Sequence, residues 1–411
     1  MQLSNTDQGD DYASNIPRYF VYIALKGFGF APIAVLWVIY LQQQRGLSLA
    51  QAALVDATFF ITALFSEVPT GVVADRFGRK VSLTIGAALM AAGVLAWTFA
   101  PTIPLIMLAY AALAIGFTFL SGADDAFFYE TLQRTGRASD YTRLVARAGA
   151  TNVGALALGS VASSLLASVD LRLPFLVASL SLLIMMIVVL SFKEPKIIVS
   201  DEQARTSIRQ VLQQSVTLLR DRPSLRFPML YVALIPVASV IMETLFLQPQ
   251  ALAVGVPLAS IGIVALAAQL ASIGGSMWST KLKGRVGEGR ILTAAPVLII
   301  ACLLLLSIMQ LAPALLFIAG IGFLTAVVNP IVLNRMQDAV SDDIRATTLS
   351  LQSLLFSLFL AGAQPSLGFV ADRFGLPAAY VGLASGLGIL MLCLLWTGRQ
   401  HVQQAEPQAV L

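Results

Sequence analysis

Charge is what this chain has least of. Of its 411 residues only 12% are Asp, Glu, Lys or Arg, while 57% are hydrophobic and the mean hydropathy is +0.82. A soluble domain of that length has no way to keep so much apolar surface from water, which places the chain in a bilayer. Histidine is scarcer still, with His401 as its one representative. A His-based metal centre and a Ser-His-Asp triad are thereby excluded, and no metal site or cofactor is expected. No Gly-x-x-x-x-Gly-Lys-Ser/Thr phosphate loop occurs, so ATP hydrolysis within the chain is not expected to supply energy. The two cysteines, Cys302 and Cys393, both lie in apolar stretches and read as packing residues rather than a disulfide. The first sixteen residues are polar and acidic (Asp7, Asp10, Asp11) and lack the basic start and short apolar core of a cleaved signal peptide.

What is there is a series of long apolar runs. A spanning helix needs about 20 largely apolar residues. Twelve runs qualify, at 18–41, 49–71, 80–100, 104–128, 144–168, 173–192, 227–254, 258–280, 291–311, 313–334, 346–370 and 377–397. The chain therefore reads as an all-α integral membrane protein with twelve transmembrane helices in two six-helix halves. The expected boundaries are 1–192 for the first half, 193–226 for a connector, and 227–411 for the second half with a short tail. With both termini cytoplasmic, 22 of the 26 Lys and Arg residues fall on the cytoplasmic side and three (Arg45, Arg172, Arg373) on the other, as the positive-inside rule requires. Lys26 lies inside the first run. The basic residues thus accompany a membrane, and a nucleic-acid partner is not expected. In the connector, Ser200-Asp201-Glu202-Gln203 reads as a capping box. Ile208, Val211, Leu212, Val216 and Leu219 follow at helical spacing, which predicts an amphipathic helix on the cytoplasmic membrane surface.

Between the second and third runs stands Gly71-Val72-Val73-Ala74-Asp75-Arg76-Phe77-Gly78-Arg79-Lys80, four charges and two glycines in an otherwise apolar region. This segment resembles the Gly-x-x-Ala/Leu-Asp-Arg-x-Gly-Arg-Lys signature that joins the second and third helices of major facilitator superfamily transporters. The resemblance implies nested inverted repeats, a substrate site between the halves lined by helices one, four, seven and ten, and a conformational latch. In that latch Asp75 docks on the N-terminus of helix eleven, where the helix dipole favours an anion, and Arg79 pairs with an acid near the end of helix four, either Glu130 or Asp124. Gly71, Asp75, Arg76, Gly78, Arg79, Lys80 and Glu130 are the latch candidates. Gly-Phe-Val-Ala-Asp-Arg-Phe-Gly (368–375) nearly repeats the signature, but helix parity places it on the other face and it lacks the closing Arg-Lys. It is expected to be a turn capped by Asp372. The positional counterpart, Lys281 to Gly287, keeps basic charge and glycines but has no Asp.

An ionised side chain near the bilayer centre costs at least about 2.5–3.5 kcal/mol, so each one calls for a partner, a water-filled cavity or a function. Lys26 sits in helix one, Asp56 and Glu67 in helix two, Asp124 and Asp125 in the cytoplasmic half of helix four, and Glu243 in helix seven. Lys26 and Asp124 fall at similar depth and are candidates to pair, either as a structural ion pair or as part of a substrate or proton site. Asp124 and Asp125 point about 100° apart around a helix, so one of them is a candidate for Arg143 or Arg147. Glu243 is the one acid in any apolar run of the second half, with no base at its depth in its own helix. It reads either as a proton carrier or as a hydrogen-bonded packing residue. Substrate or proton-coupling candidates are therefore Lys26, Glu67, Asp124, Asp125 and Glu243.

EVPTGVVADRFGRK, SGADDAFFYE at the end of helix four, LQPQALAVGVPLASIG after helix seven and RATTLSLQSL opening helix eleven together resemble bacterial drug:proton antiporters of the macrolide- and tetracycline-efflux-like group. Two features depart from that group. Ala112 stands four residues before Gly116 where the antiporters carry Arg, and the fifth helix has no proline. The expectation is a monomeric secondary transporter of the inner (plasma) membrane, not an enzyme, that couples protons to efflux of hydrophobic or amphiphilic small molecules by alternating access. Phe28, Phe30, Trp37, Phe117, Phe119, Met242 and Phe246 would offer an apolar lining. The alternative is a transporter of a polar metabolite such as a sugar or organic anion, with Lys26 binding the substrate.

Overall fold

The computed structural model describes residues 12–195, 226–338 and 342–405. The amphipathic helix expected in the connector falls on residues 196–225 and so lies outside the described residues. Every described element is helical: α1 (Asn15–Ile39), α2 (Leu49–Phe77), α3 (Arg79–Phe99), α4 in two pieces (Ile103–Leu120 and Ala123–Arg134), α5 (Tyr141–Ala167) and α6 (Leu173–Leu190). They are followed by α7 in two pieces (Arg226–Val240 and Leu247–Ala253), α8 (Ile261–Val286), α9 (Glu288–Ile308), α10 (Leu315–Asp338), α11 (Asp342–Phe374) and α12 (Leu376–Ala405). Among the described residues eleven helices are long and apolar enough to cross a membrane, and Leu376–Leu392 in α12 adds a shorter apolar stretch.

The described residues cluster into two compact units. One contains the chain up to Tyr40, Thr58 through the end of α6, and Leu258–Gly262; the other contains Leu41–Ala57, α7 through Pro257, and the chain from Ile263 onward. In the first unit α1 packs on α5 and α6, and α3 packs on α4 and α6. The second repeats the scheme, with α7 on α11 and α12 and α9 on α10 and α12. Hydroxyl groups reach across these seams to carbonyls of neighbouring helices, as expected where water is absent. Ser82 donates to Phe119 O at 2.6 Å, Ser179 to Ala91 O at 3.0 Å, and Ser279 to Val327 O at 2.7 Å. The start of α1 is tied to the end of α6 by a reciprocal pair between Asn15 and the Lys193 backbone, at 2.8 and 2.9 Å.

The helices differ from the expected runs in three places that matter for function. Helix α4 is broken at Ser121-Gly122, where Gly122 takes φ +74°, a left-handed conformation that glycine adopts without steric cost. The signature segment 71–77, expected as a loop, continues α2; only Gly78, at φ +101°, turns the chain into α3. Two π-helical turns, Tyr40–Gln44 after α1 and Ile241–Phe246 inside α7, interrupt regular geometry. The second has a local cause. Pro249 has no N–H for the Leu245 carbonyl and its ring crowds that carbonyl, so the turn ahead of it widens.

Candidate functional site

In the first unit the break in α4 places a new helix N-terminus against α1, and Asp124 and Asp125 occupy its first turn. Lys26 Nζ lies 2.6 Å from Asp124 Oδ2, with side chains 24% and 9% exposed. Tyr22 donates a longer hydrogen bond to the same oxygen at 3.5 Å. Asp125, one residue on, is exposed. Both acids and Lys26 line a cavity of about 300 Å³ whose wall also includes Tyr19, Phe117 and Asn152. One ammonium is thus bonded to Asp124 and acts on Asp125 through space. Arg143, a candidate counter-ion for one of them, instead pairs with Asp140 at 2.8 Å on the preceding turn. Asp56 is buried and Glu67 exposed, and neither joins this cluster.

In the second unit Glu243 sits in the π-helical turn of α7. Ser272 Oγ of α8 donates to its Oε1 at 3.2 Å, and among the described residues no Lys or Arg reaches it. Gly322 of α10 makes the room: a methyl group there would overlap both Glu243 Oε1 and Ser272 Oγ. Polar side chains continue along this helix. Gln364 Nε2 of α11 donates to Thr244 Oγ1 at 3.4 Å, and Tyr380 of α12 donates to Gln250 Oε1 at 2.8 Å. Of the aromatic candidates, Trp37 and Phe246 are core residues, whereas Phe117 reaches the cavity of the first unit.

The signature residues form a compact charge cluster. Arg79 Nη1 donates to Asp75 Oδ1 at 2.7 Å, and Arg79 Nε lies 3.5 Å from Glu130 Oε1, so Glu130 rather than Asp124 is the helix-four acid beside it. Asp75 remains 61% exposed. Arg76 stacks over the Phe77 ring, and Lys80 contributes its amide rather than its ammonium to the observed bonds. Sequence reasoning missed Glu194. Its two carboxylate oxygens accept the Arg79 and Lys80 N–H groups, both at 2.7 Å, and so satisfy two orphan amides at the N-terminus of α3. The available signal was an acid just past the end of helix six, which parity puts on the same face as the signature.

Residues 19–358 match the Major Facilitator Superfamily, and the chain belongs to that family. It is therefore a multi-pass membrane transporter of a small-molecule substrate and not an enzyme. An uncharacterized MFS-type transporter of Bacillus subtilis (strain 168), YxaM, is 27% identical over 172 residues. That match spans 41% of each chain, well under half of the relative. In fold the chain is similar to a variant of the nucleoside transporter NupG, with a TM-score of 0.79 and 14% identity, covering 93% of this chain and 99% of that one. It is also similar to a D-xylose-proton symporter, with a TM-score of 0.68 and 13% identity, covering 94% and 97%.

Proposed function

We propose that this transporter is driven by protons and exports hydrophobic or amphiphilic small molecules by alternating access, acting as a monomer in the inner membrane with both termini cytoplasmic. The observation that carries the coupling is the setting of Glu243. It is a carboxylate on a membrane helix, held by one serine hydroxyl and lodged in a widened helical turn beside a glycine. An isolated carboxylate in such a place is stable when it carries a proton, and π-helical turns recur at functional sites. The substrate class rests on the cavity of the first unit, where aromatic rings from Tyr19 and Phe117 stand beside few hydrogen-bonding groups other than the charged trio. In this reading Lys26, Asp124 and Asp125 contact substrate or relay protons, Glu67 is the reserve carrier, and the signature residues with Glu130 form the latch.

A polar substrate is the second reading, favoured by a different observation. Gln250 and Gln364 are fully buried in the second unit, and Gln250 Nε2 and Gln364 Oε1 lack hydrogen-bond partners among the described residues. Buried amides left half-satisfied suit a ligand with hydroxyl or amide groups. The similar structures named above are a nucleoside transporter and a xylose symporter.

Glu243→Gln in proteoliposomes tests the coupling. The variant mimics the protonated acid, so it should exchange substrate across the membrane while losing uphill transport under an imposed pH gradient. Full gradient-driven transport by Glu243→Gln would make the residue a packing group. Accumulation assays against hydrophobic cations, macrolides, nucleosides and pentoses separate the two substrate readings.

A further inference from the structure

The segment Gly368 to Gly375 is more than a chance echo of the signature. GVVADRFG (71–78) and GFVADRFG (368–375) agree at seven of eight positions. They also fold alike. Each runs as the last turns of a helix and stops at a left-handed glycine, Gly78 at φ +101° and Gly375 at φ +87°. In each, the glycine amide closes onto the alanine four residues back, at 3.1 Å from Ala74 O and 2.9 Å from Ala371 O. In each, the arginine covers the following phenylalanine ring, at 5.6 Å for Arg76 on Phe77 and 5.7 Å for Arg373 on Phe374. By helix parity the two copies lie on opposite membrane faces.

Asp372 is not the cap of its own turn that the sequence suggested. Its Oδ1 accepts the Leu49 N–H and its Oδ2 the Ala50 N–H, both at 2.8 Å, across 323 and 322 residues of chain. Leu49 and Ala50 are the first two residues of α2, and their amides have no acceptor within the helix. Helix α2 is already capped without Asp372. Ser48 N–H donates to Gln51 Oε1 at 3.0 Å and Gln51 N–H to Ser48 Oγ at 3.3 Å, a reciprocal box that leaves the Leu49 and Ala50 amides free. The box satisfies the Ser48 and Gln51 amides only, so the bonds to Asp372 complete the start of α2 from a distant helix, where water can take its place when the two separate. Gly368 permits the approach, since a methyl group there would come within 2.9 Å of the Ala50 backbone.

The two copies differ in one consequential residue. Asp75 has Arg79 four positions on and binds it, whereas the equivalent position after Asp372 is Leu376. Asp75 can retreat onto its own loop; among the described residues the bonds of Asp372 go to the start of α2. A second seam belongs to the same face by parity. At the start of α8, Gly262 N–H donates to Ser164 Oγ of α5 at 2.7 Å, and Gly262 packs directly on the Ser160 carbonyl.

We propose that GFVADRFG is a gate latch on the membrane face opposite the signature. Asp372 grips the amino end of α2 in the conformation described here and releases it when the transporter opens to that face. The inference goes beyond the proposed function and holds for any substrate or coupling ion.

The test uses purified full-length protein with Cys302 and Cys393 replaced by Ser and one reporter, Ala53→Cys, at a fully buried position of α2. Asp372→Ala removes two charge-assisted hydrogen bonds and should raise the maleimide labelling rate of this reporter by at least about tenfold, the population shift that the net stabilisation of one such bond already gives. Leu376→Arg keeps Asp372 and gives it the retreat that Asp75 has, so it should raise labelling in the same direction by about threefold. A second reporter, Ala87→Cys, buried in α3 of the first unit, should stay at its original rate. Unchanged Ala53→Cys labelling in both folded variants would overturn the proposal. So would an equal rise at Ala87→Cys, which would mark general loosening instead of release at one gate.

Discussion

Replacing Lys26 with Met should damage the protein more than replacing its partner. Asp124 is 9% exposed and bonded to Lys26 at 2.6 Å, while Asp125 stands next in the chain on the same cavity. Lys26→Met leaves two adjacent carboxylates in a mostly apolar setting with no base among the residues lining the cavity. Stranding one member of a buried ion pair costs about 3–5 kcal/mol, and because a quarter of the Lys26 side chain faces the cavity the lower end, about 3 kcal/mol, is appropriate. Asp124→Asn leaves Lys26 with Asp125 in reach, so its cost should be roughly half of that. The double variant strands only Asp125, which already faces the cavity, and should be more stable than Lys26→Met alone, with a coupling energy above about 1.5 kcal/mol. The assay is an SDS unfolding titration followed by tryptophan fluorescence, run as a double-mutant cycle beside a transport assay. Equal single effects that sum to the double within about 0.5 kcal/mol would refute the shared-ammonium argument. A double variant that regains stability but not transport would assign the trio a role beyond holding the first unit together.

Asp75→Asn should insert and fold normally, because its side chain is mostly exposed, yet transport should fall severalfold; normal transport with unaltered cysteine accessibility near α2 and α11 would remove Asp75 from the latch. Glu194→Ala removes both acceptors from the N-terminus of α3 and should lower stability by about 1–2 kcal/mol, whereas Glu194→Gln, which keeps one acceptor, should recover part of that loss. Hydrogen exchange of the peptide spanning residues 78–84 is the direct readout, and protection equal to wild type in Glu194→Ala would show that the cap contributes nothing.

The helical architecture was legible because a bilayer imposes one-dimensional constraints: each crossing needs its own apolar run, and basic residues sort to one face. Lys26 and Asp124 were findable for the same reason, since two opposite charges at one depth have few alternatives to each other. What escaped were features set by contacts distant in the chain or by backbone detail. Asp372 looks from its neighbours like a turn cap, and nothing local says that its acceptors serve amides 323 residues away. Glu194 sits among connector residues and becomes informative only when α6 brings it to α3. The helical continuation through residues 71–77 was hidden by the charges and Gly71, which suggested a loop although Val, Ala and Arg tolerate helix well. The break before Asp124 depends on Gly122, one of 30 glycines in the sequence.

The segment Lys281 to Gly287 first reads as a decayed signature, since it has no Asp. The structure gives it a different meaning. Glu288, the first residue of α9, is bound by Lys283 at 2.9 Å and by Arg335, in the last turn of α10, at 3.3 Å. In the first unit the first residue of α3 is Arg79 and its acid is Glu130, near the end of α4. Both units therefore tie the start of their third helix to the end of their fourth, with the signs exchanged. The tie is structural in origin: it survives the exchange because only opposite charge is required. The carboxylate on the final turn of α2 and of α11 obeys another rule. It occurs in Gly-x-x-Ala-Asp-Arg-Phe-Gly copies only, once in each unit, as Asp75 and as Asp372. Helix parity puts these two on opposite faces, so under the latch proposal each face holds one carboxylate that changes partners. On that proposal one such group per face suits an alternating gate, because each contact stabilises only the state in which its own face is closed.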